Sequence, residues 1–213
     1  MPTSDQILSG LGAIANGWRL LAILWHAYFA VLALGLVAGA RPSRRVAGIL
    51  LGLPLLSVGA LAWGAGNPFN GSFFTLSGVA LLAIAVRLPP LRIELARWRS
   101  SVPGALMFAF GWGYPHFLDT PSWVPYLYAA PTGLIPCPTL SIVIGLALIV
   151  RGLGARGWSA LLAATGLFYG VFGALGLGVT LDWALAAGAL VLLLTAFRGS
   201  SPRGGRRAGE RVL

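Results

Sequence analysis

Apolar residues come in long runs along this chain, and the polar residues between them collect in short connectors rich in arginine, proline and glycine. A helix that crosses a bilayer needs about 20 mostly apolar residues, fewer where the membrane thins or flanking anchors help. Seven runs meet that need: Arg19 to Ala40, Val46 to Gly64, Phe73 to Leu88, Val102 to Phe117, Pro131 to Val150, Trp158 to Leu177 and Leu181 to Phe197. The pattern predicts an all-α fold, an integral membrane bundle of seven transmembrane helices forming one domain over residues 1–197. The remaining stretch, 198–213, is Gly-, Ser- and Arg-rich and reads as a disordered tail drawn to anionic lipid.

The connectors predict the orientation, because short loops rich in Lys or Arg stay in the cytoplasm. Arg41, Arg44 and Arg45 follow the first run, Arg87, Arg92, Arg97 and Arg99 the third, Arg151 and Arg156 the fifth, and Arg198, Arg203, Arg206, Arg207 and Arg211 the seventh. All fall on one side. The other side holds the N-terminal stretch, 65–72, 119–130 and 178–180, with Arg19 at the mouth of the first run. The N-terminus is therefore expected outside and the C-terminus inside. Trp18, Trp63, Trp123 and Trp183 are expected at the outer interface, Trp98 and Trp158 at the inner one. The stretch Met1 to Trp18 carries Asp5 and no basic residue, unlike the positive start of a cleavable secretory signal, so the first run is expected to remain as a span.

Composition agrees. Hydrophobic residues make up 57%, mean hydropathy is +0.84 and only 9% of residues are charged, well outside the soluble norm. A net charge of +10 would suggest nucleic acid in a soluble domain, but here the arginines lie between apolar runs, which excludes that partner and points to the lipid bilayer and its anionic headgroups. None of the 15 cationic residues is Lys, so retinal held as a Schiff base is excluded. The single cysteine, Cys137, excludes an internal disulfide, a CxxC pair and an all-cysteine zinc site. The cofactor, if any, is not specified. Glycines spaced as GxxxG at Gly35 and Gly39, Gly48 and Gly52, and Gly166 and Gly170 suit close helix contacts, within the monomer or along a homo-oligomer seam. Runs one to three and five to seven share a sequence of directions, so run four reads as a linker in a three-one-three repeat, with a site near the midplane between the halves.

Ionisable groups inside a membrane are expensive and mark function by default. His26 lies about 10 Å below the outer mouth of the first run, as a neutral packed imidazole or as a proton- or ligand-handling group. His116 and Asp119 share a helix face if the helix continues past Pro115, and are interfacial turn residues if it does not. The fifth run opens with Pro131, Pro136 and Pro138, which interrupt the helical ladder. Irregular backbone at membrane depth survives only inside protein or against a watery cavity. Cys137 stands between two of these prolines, as a soft-metal ligand or as a small packing residue. His26, His116, Asp119, Pro136, Cys137 and Asp182 all belong to the expected outer half, where they would line a site or pathway for a proton, a metal or a small cation. Catalytic residues are not visible: Glu-x-x-His, HExxH and Gly-x-Ser-x-Gly are absent from the sequence.

Trp25-His26-Ala27-Tyr28, Asn67-Pro68-Phe69-Asn70, Pro136-Cys137-Pro138-Thr139 and Leu181-Asp182-Trp183, in this order, resemble an uncharacterised family of small bacterial polytopic membrane proteins. In that family the fifth-span turn reads Ala-Pro-Asp-Pro-Thr; this chain departs from it at Ile135 and Cys137, so the turn does not always carry a carboxylate. The resemblance implies an architecture and a bacterial inner membrane, not a reaction. The leading expectation is a channel or secondary transporter for a small ion or solute. Its competitor is a non-catalytic accessory or scaffold subunit that packs on a membrane partner through its glycine faces and has a dry interior.

Overall fold

The computed structural model describes residues 3–198, and every element among them is helical: α1 (Ser4–Gly17), α2 (Arg19–Val37), α3 (Arg44–Gly64), α4 (Pro68–Ala85), α5 (Trp98–Trp112), α6 (Tyr126–Ala129), α7 (Pro136–Ile149), α8 (Arg156–Val171) and α9 (Asp182–Arg198). The segment 199–213, with its expected disorder, lies outside the described residues. Four helices are long and apolar enough to cross a membrane, Arg19–Val37, Arg44–Gly64, Pro68–Ala85 and Arg156–Gly176, and three shorter apolar ones accompany them at Ser101–Trp112, Pro136–Ile149 and Asp182–Phe197. The bundle is apolar on its outside as well as within. Leu20, Leu24, Val31, Leu34 and Val37 of α2, Leu76 of α4, Leu106 of α5 and Leu190 of α9 all face outward. Continuous apolar surface of this kind requires an apolar surrounding.

Antiparallel hairpins build the bundle: α3 on α4, α5 on α7 and α8 on α9, with α7 at the centre touching α3, α5, α8 and α9. Glycines set the closest approaches. A Cβ at Gly104 would stand 2.7 Å from the carbonyl oxygen of Gly145, and one at Gly145 would stand 2.5 Å from the amide nitrogen of Phe108. Gly166 and Gly170 press on Ala189 and Ala186 of α9, and Gly48 and Gly52 on Ala85 and Leu82 of α4, so these two GxxxG pairs serve contacts within the chain. The third does not: Gly39 ends its helix with φ +94° and meets no neighbour. Run four, expected as a linker, corresponds to α5, which packs closely along α7. Trp158, expected at an interface, is fully buried between helices instead.

The arginine connectors gather at one end of the bundle. Ser43 bridges Arg92, the Arg44 amide donates to Leu91 O at 2.7 Å and Ala96 N donates to Ile149 O at 2.8 Å, which joins the connectors after α2, α4 and α7. The opposite end is closed by α1, an amphipathic helix that hydropathy alone does not reveal. Thr3 and Gln6 form its capping box. Its inner face, Leu11 and Ile14, packs on Leu134 and Ile135. Asn16 fixes its far end, donating to Phe117 O at 2.8 Å and accepting from Asp119 N at 2.9 Å, while Ser4 Oγ donates to Gly176 O at 2.9 Å.

Candidate functional site

The proline-rich opening of the fifth run is not helix until Pro136. Residues 130–135 form a buried irregular segment in which Gly133 takes φ +79°, against the face of Trp25. Side chains replace the missing ladder. Thr139 Oγ1 accepts from Gly133 N at 2.8 Å and donates to Ile135 O at 2.6 Å, Ser57 Oγ donates to Gly133 O at 2.7 Å, and Thr132 Oγ1 donates to Gly111 O at 2.8 Å. Much of the irregular backbone is thus satisfied inside protein, as a membrane interior demands. The 14 residues of α7 rise only about 21 Å, and the irregular segment leads into them.

Pro136 at the first helical position turns Cys137 toward α9. There Asp182, at the first position of its helix and buried to 1% exposure, receives two donors: Tyr114 Oη to Oδ1 at 2.7 Å and Cys137 Sγ to Oδ2 at 3.1 Å. The dipole of a helix favours a carboxylate in its first turn. Space for it comes from α8, which widens into a π-turn over Phe172–Gly176. A Cβ at Gly173 would collide with the Asp182 carboxylate. Such π-turns recur where a helix is reshaped around a functional group. One helical turn away, Tyr169 donates to Asn70 Oδ1 at 2.9 Å, both residues being buried.

A cavity of about 20 Å³ lies among Asn70, Cys137, Tyr169, Gly173 and Asp182. That holds roughly one water, whose minimum is ~10–15 Å³. Above it, under α1, is a vestibule of about 420 Å³ bordered by Gln6, Asn67, Asn70, Leu134 and Pro136. Ile7, Leu11, Asn70 and Pro136 line both spaces, so α1 and the opening of α7 form the wall between vestibule and carboxylate.

The sequence candidates separate into three places. Pro136, Cys137 and Asp182 meet at the cluster. His26 is buried at 4% exposure beside the end of α5, with Nδ1 2.9 Å from Ala22 O, Nε2 3.0 Å from Trp112 O and its ring edge-on to Trp112. A carbonyl only accepts, so a neutral imidazole can donate to one of the two and only a doubly protonated ring to both. His116 and Asp119 do not share a helix face, because α5 ends at Trp112. His116 sits in the following turn, its amide bonded to Tyr114 O, and Asp119 is exposed, its backbone held by Asn16 and Arg19. Tyr114, Tyr169 and Asn70 were not among the candidates; of these only Asn70 stood in a motif that sequence reading picked out.

Among the described residues no three His, Cys, Asp or Glu side chains come together as metal ligands. Both carboxylate oxygens of Asp182 accept from protic donors rather than meeting further oxygen ligands, an arrangement that does not resemble a metal site. No family model, curated protein or solved structure matches this chain.

Proposed function

We propose that this chain crosses a bacterial inner membrane seven times, N-terminus outside and C-terminus in the cytoplasm, and acts as a secondary transporter for a small solute with Asp182 as its proton-carrying group. The observation that carries the reading is the stack of vestibule, one-water cavity and buried Asp182 at the end of the bundle away from the arginines. An open channel fits less well, because residues 138–148 of α7 are buried and apolar apart from Thr139 and Ser141. The solute would enter the vestibule, and its arrival would be coupled to the charge on Asp182 through the water beside Cys137 and Tyr169. The arginine connectors would rest against anionic lipid on the cytoplasmic face.

Purified protein reconstituted in proteoliposomes on a solid support, challenged with a panel of alkali cations, ammonium compounds and amino acids, tests this. At least one should displace charge in a pH-dependent way, and Asp182→Asn should abolish the signal. Full displacement in a folded Asp182→Asn protein would remove the carboxylate from the mechanism.

A second reading, an accessory subunit, is favoured by α2, whose apolar window is only 17% buried and whose outer face is continuous enough to hold another membrane helix. Photo-crosslinking from Leu24 or Val31 in native membranes would give a discrete heavier product if that face is occupied by protein. Lipid adducts alone would argue against it.

A further inference from the structure

The arginine end of the bundle contains a cavity of about 610 Å³, larger than the vestibule, which the proposed transport does not use. Arg44, Arg97, Arg151 and Arg156 line it, opposed by the single acid Glu94, so four positive charges face one negative and the lining carries a surplus of three. Its floor is the link between α7 and α8. There Arg151, Gly152, Leu153 and Gly154 have φ of 53°, 58°, 59° and 62°, one left-handed turn fixed by Ser159 Oγ donating to Gly152 O at 2.9 Å.

Arg44 is the telling residue. Its Nε is buried and has no hydrogen-bond partner among the described residues. The guanidinium lies over Gly154, where a Cβ would stand 2.8 Å from Nη1, so glycine is what lets the cation reach into the cavity. A guanidinium matches the oxygens of a phosphate with paired N–H groups, which Arg44 offers through its terminal nitrogens. Arg151 pairs with Glu94, which places a carboxylate of the chain itself at the cavity's edge. The first turn of α8, whose N-cap Ala155 offers no side-chain acceptor, adds free amides at the same wall.

We propose that this cavity binds a phosphate monoanion or dianion, held by Arg44 and Arg151 with Arg97 and Arg156 around it, and that Glu94 competes with it for Arg151. Two sources share this chemistry: the headgroup of an anionic phospholipid and a free phosphate from the aqueous side. Only the lipid source rests on the orientation proposed above, and neither depends on transport.

The test is thermal unfolding of the purified full chain in dodecyl maltoside micelles, titrated with dioleoyl phosphatidylglycerol, with inorganic phosphate, or with dioleoyl phosphatidylcholine, whose phosphate is balanced by its own choline cation, as the zwitterionic control. A ligand that binds only the folded state raises the midpoint as its concentration rises. Stabilisation by phosphatidylglycerol alone identifies the lipid source, and stabilisation by phosphate alone the soluble one. In either case Arg44→Gln with Arg151→Gln should abolish it, while Glu94→Gln should tighten binding about fivefold, the scale of one exposed ion pair. Glu94→Gln keeps the question decidable if the double arginine variant does not fold. The proposal is overturned if neither probe stabilises beyond phosphatidylcholine, or if Glu94→Gln leaves the binding curve unchanged.

Discussion

Tyr114 donates its phenolic hydrogen to Oδ1 of Asp182 at 2.7 Å, and both side chains are buried. The tyrosine follows the end of α5 and the carboxylate opens α9, so the bond ties the connecting segment of the α5–α7 hairpin to that of the α8–α9 hairpin. Removing the donor strands a buried carboxylate oxygen. Tyr114→Phe should therefore lower stability by about 1–3 kcal/mol, and Cys137→Ala, which removes a weaker donor, by about 0.5–1.5 kcal/mol. The two should not add, because they share one carboxylate. Denaturant unfolding in micelles measures this, with Tyr128→Phe on the exposed α6 as the control; equal effects at Tyr114 and Tyr128 would deny the bond its importance.

Gly173 lies where any side chain would meet the Asp182 carboxylate. Gly173→Ala should displace the carboxylate, break its bonds to Tyr114 and Cys137 and cost about 1–3 kcal/mol, the scale of overpacking a filled interior. An unfolding midpoint unchanged from the parent would show that the π-turn yields freely.

Because Cys137 is the only cysteine, thiol labelling reports on the cavity without background. Asn16 ties α1 to residues 117–119 and also accepts from Arg19 at 3.0 Å, so Asn16→Ala should release part of the cover. Loss of about 1.4 kcal/mol of docking energy raises the undocked population about tenfold. A methanethiosulfonate reagent should modify Cys137 faster by that factor. An unaltered rate would mean that α1 does not gate access.

His26 joins α2 to the last carbonyl of α5. In His26→Phe the carbonyl that receives the ring's N–H, Ala22 O or Trp112 O, loses that partner, and stability should fall by about 1–3 kcal/mol. His26→Gln, which retains a donor, should recover part of the loss. If Phe is tolerated as well as His, the ring is held by its contacts with Trp112 and not by its nitrogens.

Glycine has opposite consequences at two positions. Gly145→Ala would place a Cβ against the backbone of α5, and the folded fraction should drop sharply in a size-exclusion assay. Gly10→Ala, in the interior of α1 with no neighbour within 4 Å, should stabilise that helix by about 1 kcal/mol. Opposite signs at the two sites are the expected result.

The helices were legible in the sequence wherever local chemistry decided them. Arginine connectors and apolar runs located α2, α3 and α9 to within a few residues, since apolar length and charge are properties of each segment by itself. The connectors' gathering at one end also agrees with the charge pattern. What stayed hidden depends on partners distant in the chain. Trp158 carries the interfacial signature yet is buried, because its neighbours on α7 and α9 fill the space around it. Tyr114 and Tyr169 look like ordinary aromatics until α9 and α4 bring Asp182 and Asn70 to their hydroxyls. The segment α1 is too polar for a hydropathy reading, and its helix is visible only in the capping pair and the spacing of Leu11 and Ile14. Cys137 and Asp182 were both candidates, but their pairing needed the fold.

Among the helices described, the cover over the vestibule is made first, yet its anchors come late in the chain. Its anchors Phe117 and Gly176 follow their partners on α1 by 101 and 172 residues. During synthesis α1 therefore leaves the ribosome before either docking point exists, and its bond to Gly176 can form only once the stretch after α8 has been made. The chamber above Asp182 closes only on a finished molecule. A chain truncated before the π-turn would keep α1 but lack the Gly176 anchor, leaving the unfinished protein marked by an undocked amphipathic helix.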